Sequence, residues 1–175
     1  SAPVLEKTWA QKSGLGWIGK HTNLIRPQAG SWFFLAELMI DLAIEPDPPV
    51  RDYCGTCTRC MDACPTDALK PYQINANRCI SYLTIELKDK IPEAFETQMD
   101  GWAYGCDVCQ QVCPWNRFSV AHEEPAFQPL SEILNFHRAD WEAQTEPEFK
   151  AFSKKSAMSR IKYRKWQENL RFSKL

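Results

Sequence analysis

The chain has 175 residues, of which 44% are hydrophobic, and a formal net charge of −1 at pH 7. This length and apolar content suffice for a buried core, which excludes a peptide that depends on disulfides for its fold. The longest apolar run starts at Trp32, is interrupted by Glu37 and Asp41, and is too short to span a bilayer. No stretch has the pattern of a secretory signal, so we expect a soluble protein of a reducing compartment.

The first predicted element is an amphipathic helix. Pro3 suits a helix start and Gly14 a helix stop. Val4, Leu5 and Trp9 are spaced to form one buried face. The sequence therefore predicts a helix that packs against the rest of the chain.

A β-hairpin is predicted to follow this helix. Residues 22–26 form its first strand, PQAG forms its turn, and the second strand runs from Ser31 onward. The stretch EPDPPVRDY is a proline-rich linker into a cysteine-rich region, and NRCISYLTIEL predicts a helix that carries Cys79.

Seven of the eight cysteines fall in two short runs. The first run, CGTCTRCMDACP, has the bacterial C-x2-C-x2-C-x3-C-P spacing, in which three thiolates bind one 4Fe-4S cluster and the fourth binds a neighbouring cluster. The second run, CDVCQQVCP, repeats this spacing with Ala103 in the place of the first cysteine. Disulfide frameworks belong to short secreted domains with dispersed cysteines, so the clustering indicates metal.

Eight thiolates make two sets of four, and the interlocking spacing assigns each set. One 4Fe-4S cluster is predicted to be held by Cys54, Cys57, Cys60 and Cys113. The other is predicted to be held by Cys64, Cys79, Cys106 and Cys109. Two zinc ions could also use eight thiolates and stay an alternative, although zinc prefers two separated Cys-x2-Cys knuckles.

Charge is unevenly distributed in the C-terminal part of the chain. Residues 123–148 contain seven acidic residues and one arginine, whereas residues 154–174 contain eight basic residues and one glutamate. The basic segment interleaves Tyr163, Trp166 and Phe172 with lysine and arginine at helical spacing, which suits a helix laid along a phosphate backbone. The alternative is a terminal helix whose aromatic side chains dock on the core while its lysines stay in solvent.

Seven motifs together resemble the epoxyqueuosine reductases, which carry out the last step in making queuosine in tRNA. They are SAPVLEK, GLGWIGKHTNLI, GSWFFLAELMIDL, CGTCTRCMDACPTDAL, RCISYLTIE, YGCDVCQQVCPWN and SAMSRIKYRKWQENL. The resemblance covers essentially the whole chain. It implies an α+β chain with part of a cobalamin-binding α/β domain (residues 1–50), a two-cluster ferredoxin-like module (51–120) and a helical region with a basic tail (121–175).

The resemblance also implies binding residues. Cobalamin contacts are expected from His21, Thr22, Asn23, Leu24, Leu35, Leu38, Ser81 and Asp107. Phosphate contacts to tRNA are expected from Lys154, Lys155, Arg160, Lys162, Arg164 and Lys165. The proton-donor aspartate of the family is expected immediately before Ser1, so we expect the chain to be a C-terminal portion that is inactive alone.

The implied function is the reduction of epoxyqueuosine to queuosine in tRNA. Electrons would pass from an external donor, such as a flavodoxin or ferredoxin, through two 4Fe-4S clusters to cobalamin. A cytoplasmic, monomeric protein with no membrane association is expected. The alternatives are a ferredoxin-like electron-transfer module, a cobalamin enzyme similar to the reductive dehalogenases, and a zinc-stabilised RNA-binding protein.

Overall fold

A computed structural model of the chain describes residues 4–131, 133–154 and 156–173. These residues divide into two compact units. The first unit comprises the described residues up to Asn75 together with Asp107–Ala121, and the second comprises Ala76–Cys106 together with the described residues from His122 onward. The domain boundaries expected at residues 50 and 120 stay a prediction. None of the helices in the described ranges is long and apolar enough to cross a membrane.

The first unit is built from short helices and two-stranded antiparallel sheets. In chain order its elements are α1 (Glu6–Lys12), β1 (Trp17–Ile18), β2 (Leu24–Ile25), α2 (Arg59–Asp62), β3 (Leu69–Lys70), β4 (Gln73–Ile74) and α3 (Val108–Gln111). Strand β1 pairs with β2, and β3 pairs with β4. A 3-10 turn, Pro114–Phe118, follows α3.

The second unit is helical. Its α-helices are α4 (Arg138–Ala143), α5 (Glu146–Ser153) and α6 (Tyr163–Phe172). It also contains a π-helical turn, Tyr82–Glu86, and 3-10 turns at Ala76–Arg78, Glu93–Phe95, Pro125–Phe127, Ile133–Asn135 and Ala157–Arg160. Helix α5 starts at a capping box, in which the Glu148 carboxylate accepts the Thr145 backbone N–H at 2.8 Å.

Two apolar clusters form the core of the second unit. One consists of Ile80, Leu83, Ile91, Phe95, Met99 and Phe172, and the other of Phe149, Ile161, Trp166 and Leu170. Because Trp166 and Phe172 belong to these clusters, the aromatic face of the basic helix is buried within the unit. This confirms the docking alternative for these two aromatic side chains.

The predicted hairpin has the wrong second strand. Strand β2 pairs instead with the preceding β1, so that Trp17 lies opposite Ile25 and both side chains are buried. Beyond β2 only one bridge, Arg26 with Gly30, continues the predicted pairing. The backbone N–H of Ser31 donates a hydrogen bond to the Asn116 side chain at 2.6 Å, so it is not available to pair with a neighbouring strand.

Leu35 and Leu38 therefore do not lie on a strand, contrary to the prediction. Residues 33–40 have no regular structure, because no strand within the described ranges pairs with them. The Leu38 side chain is 90% exposed.

The buried face predicted for the first helix is also wrong. Helix α1 forms near the expected place, and Gly14 follows it with a φ of 73°. The helix buries no residue, and Leu5 and Trp9 are exposed. Sequence spacing sets which side chains share a face, but burial needs a packing partner, and the described part of the first unit does not cover this face.

His21 lies in the turn between β1 and β2 and is only 3% exposed. Its Nδ1 accepts a hydrogen bond from the backbone N–H of Asn23 at 3.1 Å, so Nε2 carries the proton of the neutral ring. Nε2 is buried and has no hydrogen-bond partner among the described residues. Burial is the main cause that lowers the His21 pKa from 6.5 to about 4.

The low His21 pKa predicts a pH-dependent stability. Between pH 4 and 6.5 the unfolded state binds a proton that the folded state does not, so the free energy of unfolding should rise with pH across this window. We expect His21 to contribute about 2–3 kcal/mol to this rise. Urea unfolding of wild type and of His21→Gln across the window measures the contribution, with His122→Gln as the control. An imidazole that titrates near 6.5 by NMR would contradict the prediction.

Candidate iron-sulfur site

The first cysteine run forms a turn that leads into α2. The backbone N–H of Cys57 donates to the carbonyl oxygen of Cys54 at 3.1 Å, and Gly55 between them has a φ of 51°, which favours glycine. Cys60 lies on α2. The Lys20 ammonium donates to the carbonyl oxygens of Gly55 at 2.6 Å and Cys57 at 2.9 Å, so the loop between β1 and β2 holds this turn in place.

Cys113 joins the thiols of the first run. Burial raises the pKa of Cys60, and the charges of Cys113 and Cys54 raise it further. Burial likewise raises the pKa of Cys113, and Cys54 and Cys57 contribute to this rise. Charges couple in this way only at short range, so the structure brings together the four thiols that the spacing assigns to one cluster.

Two cysteine sulfurs of the first unit accept hydrogen bonds from N–H groups. The Trp17 indole N–H donates to Cys54 Sγ at 3.4 Å, and the backbone N–H of Ala68 donates to Cys64 Sγ at 3.3 Å. Hydrogen bonds to sulfur are a regular feature of iron-sulfur sites, so this environment fits a 4Fe-4S cluster. All eight cysteines are free thiols. Among the described residues no three His, Cys, Asp or Glu side chains are arranged to hold a single metal ion.

The segment after Cys113 is hydrogen-bonded to the chain at Ser31, just after the turn that ends at Gly30. The Asn116 side chain accepts the Ser31 backbone N–H and donates to the Gln110 carbonyl oxygen at 2.7 Å. A Cβ atom on Gly30 would lie 2.1 Å from Asn116 Oδ1, so only glycine permits this approach. These contacts fix the end of α3, which carries Cys109, and the segment that follows Cys113.

The other predicted cluster draws on both units, and its ligand set stays a prediction. Cys64 and Cys109 belong to the first unit, and Cys79 and Cys106 to the second. The predicted helix around Cys79 is present as irregular helical turns, which end in the π-helical turn Tyr82–Glu86.

Thr84 links the two cysteine segments of the second unit. Its buried hydroxyl donates to the Ile80 carbonyl oxygen at 2.8 Å and accepts the Gly105 backbone N–H at 3.0 Å. Ile80 directly follows Cys79, and Gly105 directly precedes Cys106. The hydroxyl therefore fixes the backbone beside both thiols.

The residues expected to contact cobalamin are distributed over both units, and their shared contact stays a prediction. Leu24 is buried in β2, whereas Thr22 and Asn23 are half-buried in the turn before it. Ser81 is half-buried and belongs to the second unit. Asp107 precedes α3 and accepts a hydrogen bond from the Gln110 side chain at 3.1 Å.

The basic residues expected to contact tRNA differ in their exposure to solvent and in their ion pairs. The exposed ones are Lys154, Arg160, Lys162 and Arg164. Arg160 forms an ion pair with Glu86, and both side chains are largely in solvent. Lys165 is only 12% exposed and pairs with Glu168 at 3.1 Å, so it is the least available of the described set. Lys155 lies outside the described residues.

Comparisons with known proteins agree with this site. A profile of the 4Fe-4S double cluster binding domain matches residues 53–116, the range that contains all eight cysteines. The epoxyqueuosine reductase of Cellulophaga algicola is 55% identical over 99% of this chain and 57% of its own length. The epoxyqueuosine reductase of Escherichia coli is 44% identical over 97% of this chain and 45% of its own length.

A crystal structure of epoxyqueuosine reductase with an epoxyqueuosine-modified tRNA stem loop has a TM-score of 0.88 to this chain. It is 36% identical over 97% of this chain and 45% of its own chain. Over nearly its whole length the chain is similar to part of the epoxyqueuosine reductases. It spans about half the length of the epoxyqueuosine reductases it matches and corresponds to their C-terminal portion.

Sequence reasoning missed the residues that hold the cysteine segments. They are Trp17, Lys20, Thr84 and Asn116. Trp17 and Lys20 belong to the motif GLGWIGKHTNLI of epoxyqueuosine reductases, but nothing in one sequence connects them to cysteines 37 residues away. Thr84 and Asn116 likewise lie in the quoted motifs RCISYLTIE and YGCDVCQQVCPWN, but the sequence does not show which backbone groups they bind.

Replacing Thr84 tests its role beside the two thiols of the second unit. Thr84→Val keeps the shape but leaves the Gly105 N–H without its acceptor, so we expect a loss of about 1–3 kcal/mol in the free energy of unfolding. Iron should also be lost faster to a chelator. Thr84→Ser keeps the hydroxyl and should lose about 1 kcal/mol or less, from one methyl group. Equal iron loss from both variants would show that the hydroxyl does not position the thiols.

Proposed function

We propose that the chain is the electron-transfer portion of an enzyme that reduces epoxyqueuosine to queuosine in tRNA. The main support for the proposal is that Cys54, Cys57, Cys60 and Cys113 lie close together in a chain that is similar to epoxyqueuosine reductases. Reductive removal of the epoxide oxygen needs electrons, and clusters in series deliver them one at a time.

The proposed ligand sets follow the spacing of the two cysteine runs. One 4Fe-4S cluster is held by Cys54, Cys57, Cys60 and Cys113, and the other by Cys64, Cys79, Cys106 and Cys109. When bound, the two clusters supply one-electron carriers of low potential. The role of the chain is to present deprotonated thiols, donate N–H groups to the sulfurs and keep water away.

Residues 1–50 are proposed to form part of a cobalamin-binding α/β domain, with contacts from the turn His21 to Leu24. The support is His21 Nε2, a buried donor without a partner among the described residues, which a ligand oxygen or nitrogen would satisfy. Further contacts are proposed for Leu35, Leu38, Ser81 and Asp107. Bound cobalamin would supply the cobalt that delivers electrons to the substrate.

The tRNA is proposed to lie along the basic side chains of the C-terminal region. Helix α6 buries its aromatic side chains in the core and leaves Lys162 and Arg164 in solvent, where they can reach phosphates. Lys154, Lys155, Arg160 and Lys165 complete the proposed set. Bases of an anticodon loop are unpaired and can be splayed into an active site.

An external one-electron donor, such as a flavodoxin or ferredoxin, completes the proposed reaction. We propose a monomeric enzyme of the cytoplasm, a reducing compartment in which clustered cysteines are typical of metal binding rather than of disulfides.

Turnover by the full-length protein tests the proposed function. The protein is purified without oxygen, loaded with iron, sulfide and cobalamin, and incubated with tRNA that carries epoxyqueuosine. We expect mass spectrometry of the digested tRNA to show queuosine. Lys162→Glu with Arg164→Glu should raise the KM for tRNA severalfold. The plot of the logarithm of the binding constant against the logarithm of the salt concentration should become shallower, by about one unit of slope for each lost phosphate contact.

Lys88→Glu with Lys90→Glu is the matched control, because it reverses two exposed charges outside the proposed tRNA set. Fully loaded protein that makes no queuosine would overturn the proposal. Absence of corrin binding would indicate a ferredoxin-like module, and removal of halogen from organic substrates would indicate a relative of the dehalogenases.

A further inference from the structure

The Trp17 indole forms a side-chain hydrogen bond to a cysteine sulfur. Its N–H lies 3.4 Å from Cys54 Sγ, and the side chain is only 1% exposed. Indole is a donor and never an acceptor, and a buried donor is costly when it lacks a partner. The sulfur is therefore the acceptor that satisfies the buried indole.

The orientation of this indole is fixed from several sides. Its ring makes edge-on contacts with Tyr53 and Trp115, at centroid distances of 5.4 and 4.9 Å. Its backbone is paired with Ile25 in the β1–β2 ladder. The N–H is thus directed at the sulfur by packing and by the hairpin, and it is in place before any cofactor binds.

A donor directed at a ligand sulfur favours the more negative state of a cluster. Reduction adds one negative charge, which is shared with the thiolate sulfurs, and the hydrogen bond to sulfur becomes stronger as that charge grows. We propose that Trp17 is a positioning residue that raises the reduction potential of the cluster held by Cys54, Cys57, Cys60 and Cys113. This inference rests on the proposed function, which assigns these four ligands.

The second proposed cluster provides an internal comparison. The donor seen at one of its sulfurs, Cys64 Sγ, is the backbone N–H of Ala68 at 3.3 Å, which side-chain replacement leaves intact. Removal of the indole N–H should therefore change the potential of one cluster and leave that of the other unchanged.

Trp17→Phe in the full-length protein tests the proposal. Clusters are reduced stepwise with dithionite and their potentials are followed by electron paramagnetic resonance. We expect the equilibrium constant for reduction of one cluster to fall about tenfold, which is a shift of about 59 mV to more negative potential for one electron. The other cluster should keep its potential, and the iron and sulfide contents should equal those of wild type.

Trp141→Phe is the matched control, since it removes an indole of the second unit that packs on Phe136, Phe152 and Trp166 and makes no ring contact with Trp17 among the described contacts. We expect no shift in this variant. If phenylalanine at position 17 prevents folding, the benzothiophene analogue of tryptophan keeps the shape and removes only the N–H.

Clusters that are present with unchanged potentials in these variants would overturn the role of Trp17 and leave the proposed function standing. An equal shift in the Trp141 control would also overturn it. Wild-type protein without iron and sulfide would instead overturn the proposed function, and this inference with it.

Discussion

The gathering of cysteine thiols in the first unit is the constraint on the whole site, because the charges of neighbouring cysteines raise the cost of ionising Cys60 and Cys113. Burial and neighbouring cysteine charges together raise the pKa of Cys60 and Cys113. Thiolates at such distances are stable only when a cation neutralises them. A folded arrangement that collects thiols in this way fits a metal group that takes up the charge of the thiolates, as the proposed 4Fe-4S cluster would.

The elements around the thiols hold the backbone segments that carry the cysteines. Lys20 closes the turn of the first cysteine run from the β1–β2 loop, and Asn116 fixes the chain that follows Cys113. In the second unit, Thr84 performs the corresponding task for the backbone beside Cys79 and Cys106. These contacts are polar and directional, so they set positions more precisely than apolar packing alone.

The sequence predicted the parts of the site that depend on local spacing. Cysteines two residues apart can curl around a cluster whatever the remainder of the fold does. The spacing of the second run also assigned Cys113 to this cluster, and the charges of Cys54 and Cys57 contribute to the raised pKa of Cys113. The partner of strand β2 was not predictable in the same way, because the choice depends on Asn116, which is 85 residues from Ser31. Likewise, the spacing in α1 shows which residues share a face, but it does not show what covers that face.

The most direct test of the account is the iron and acid-labile sulfide content of the chain purified without oxygen, combined with Mössbauer spectroscopy. The account predicts about eight iron atoms and eight sulfides per chain, all in two 4Fe-4S clusters. Zinc in place of iron, or disulfides between the cysteines under the same conditions, would contradict it.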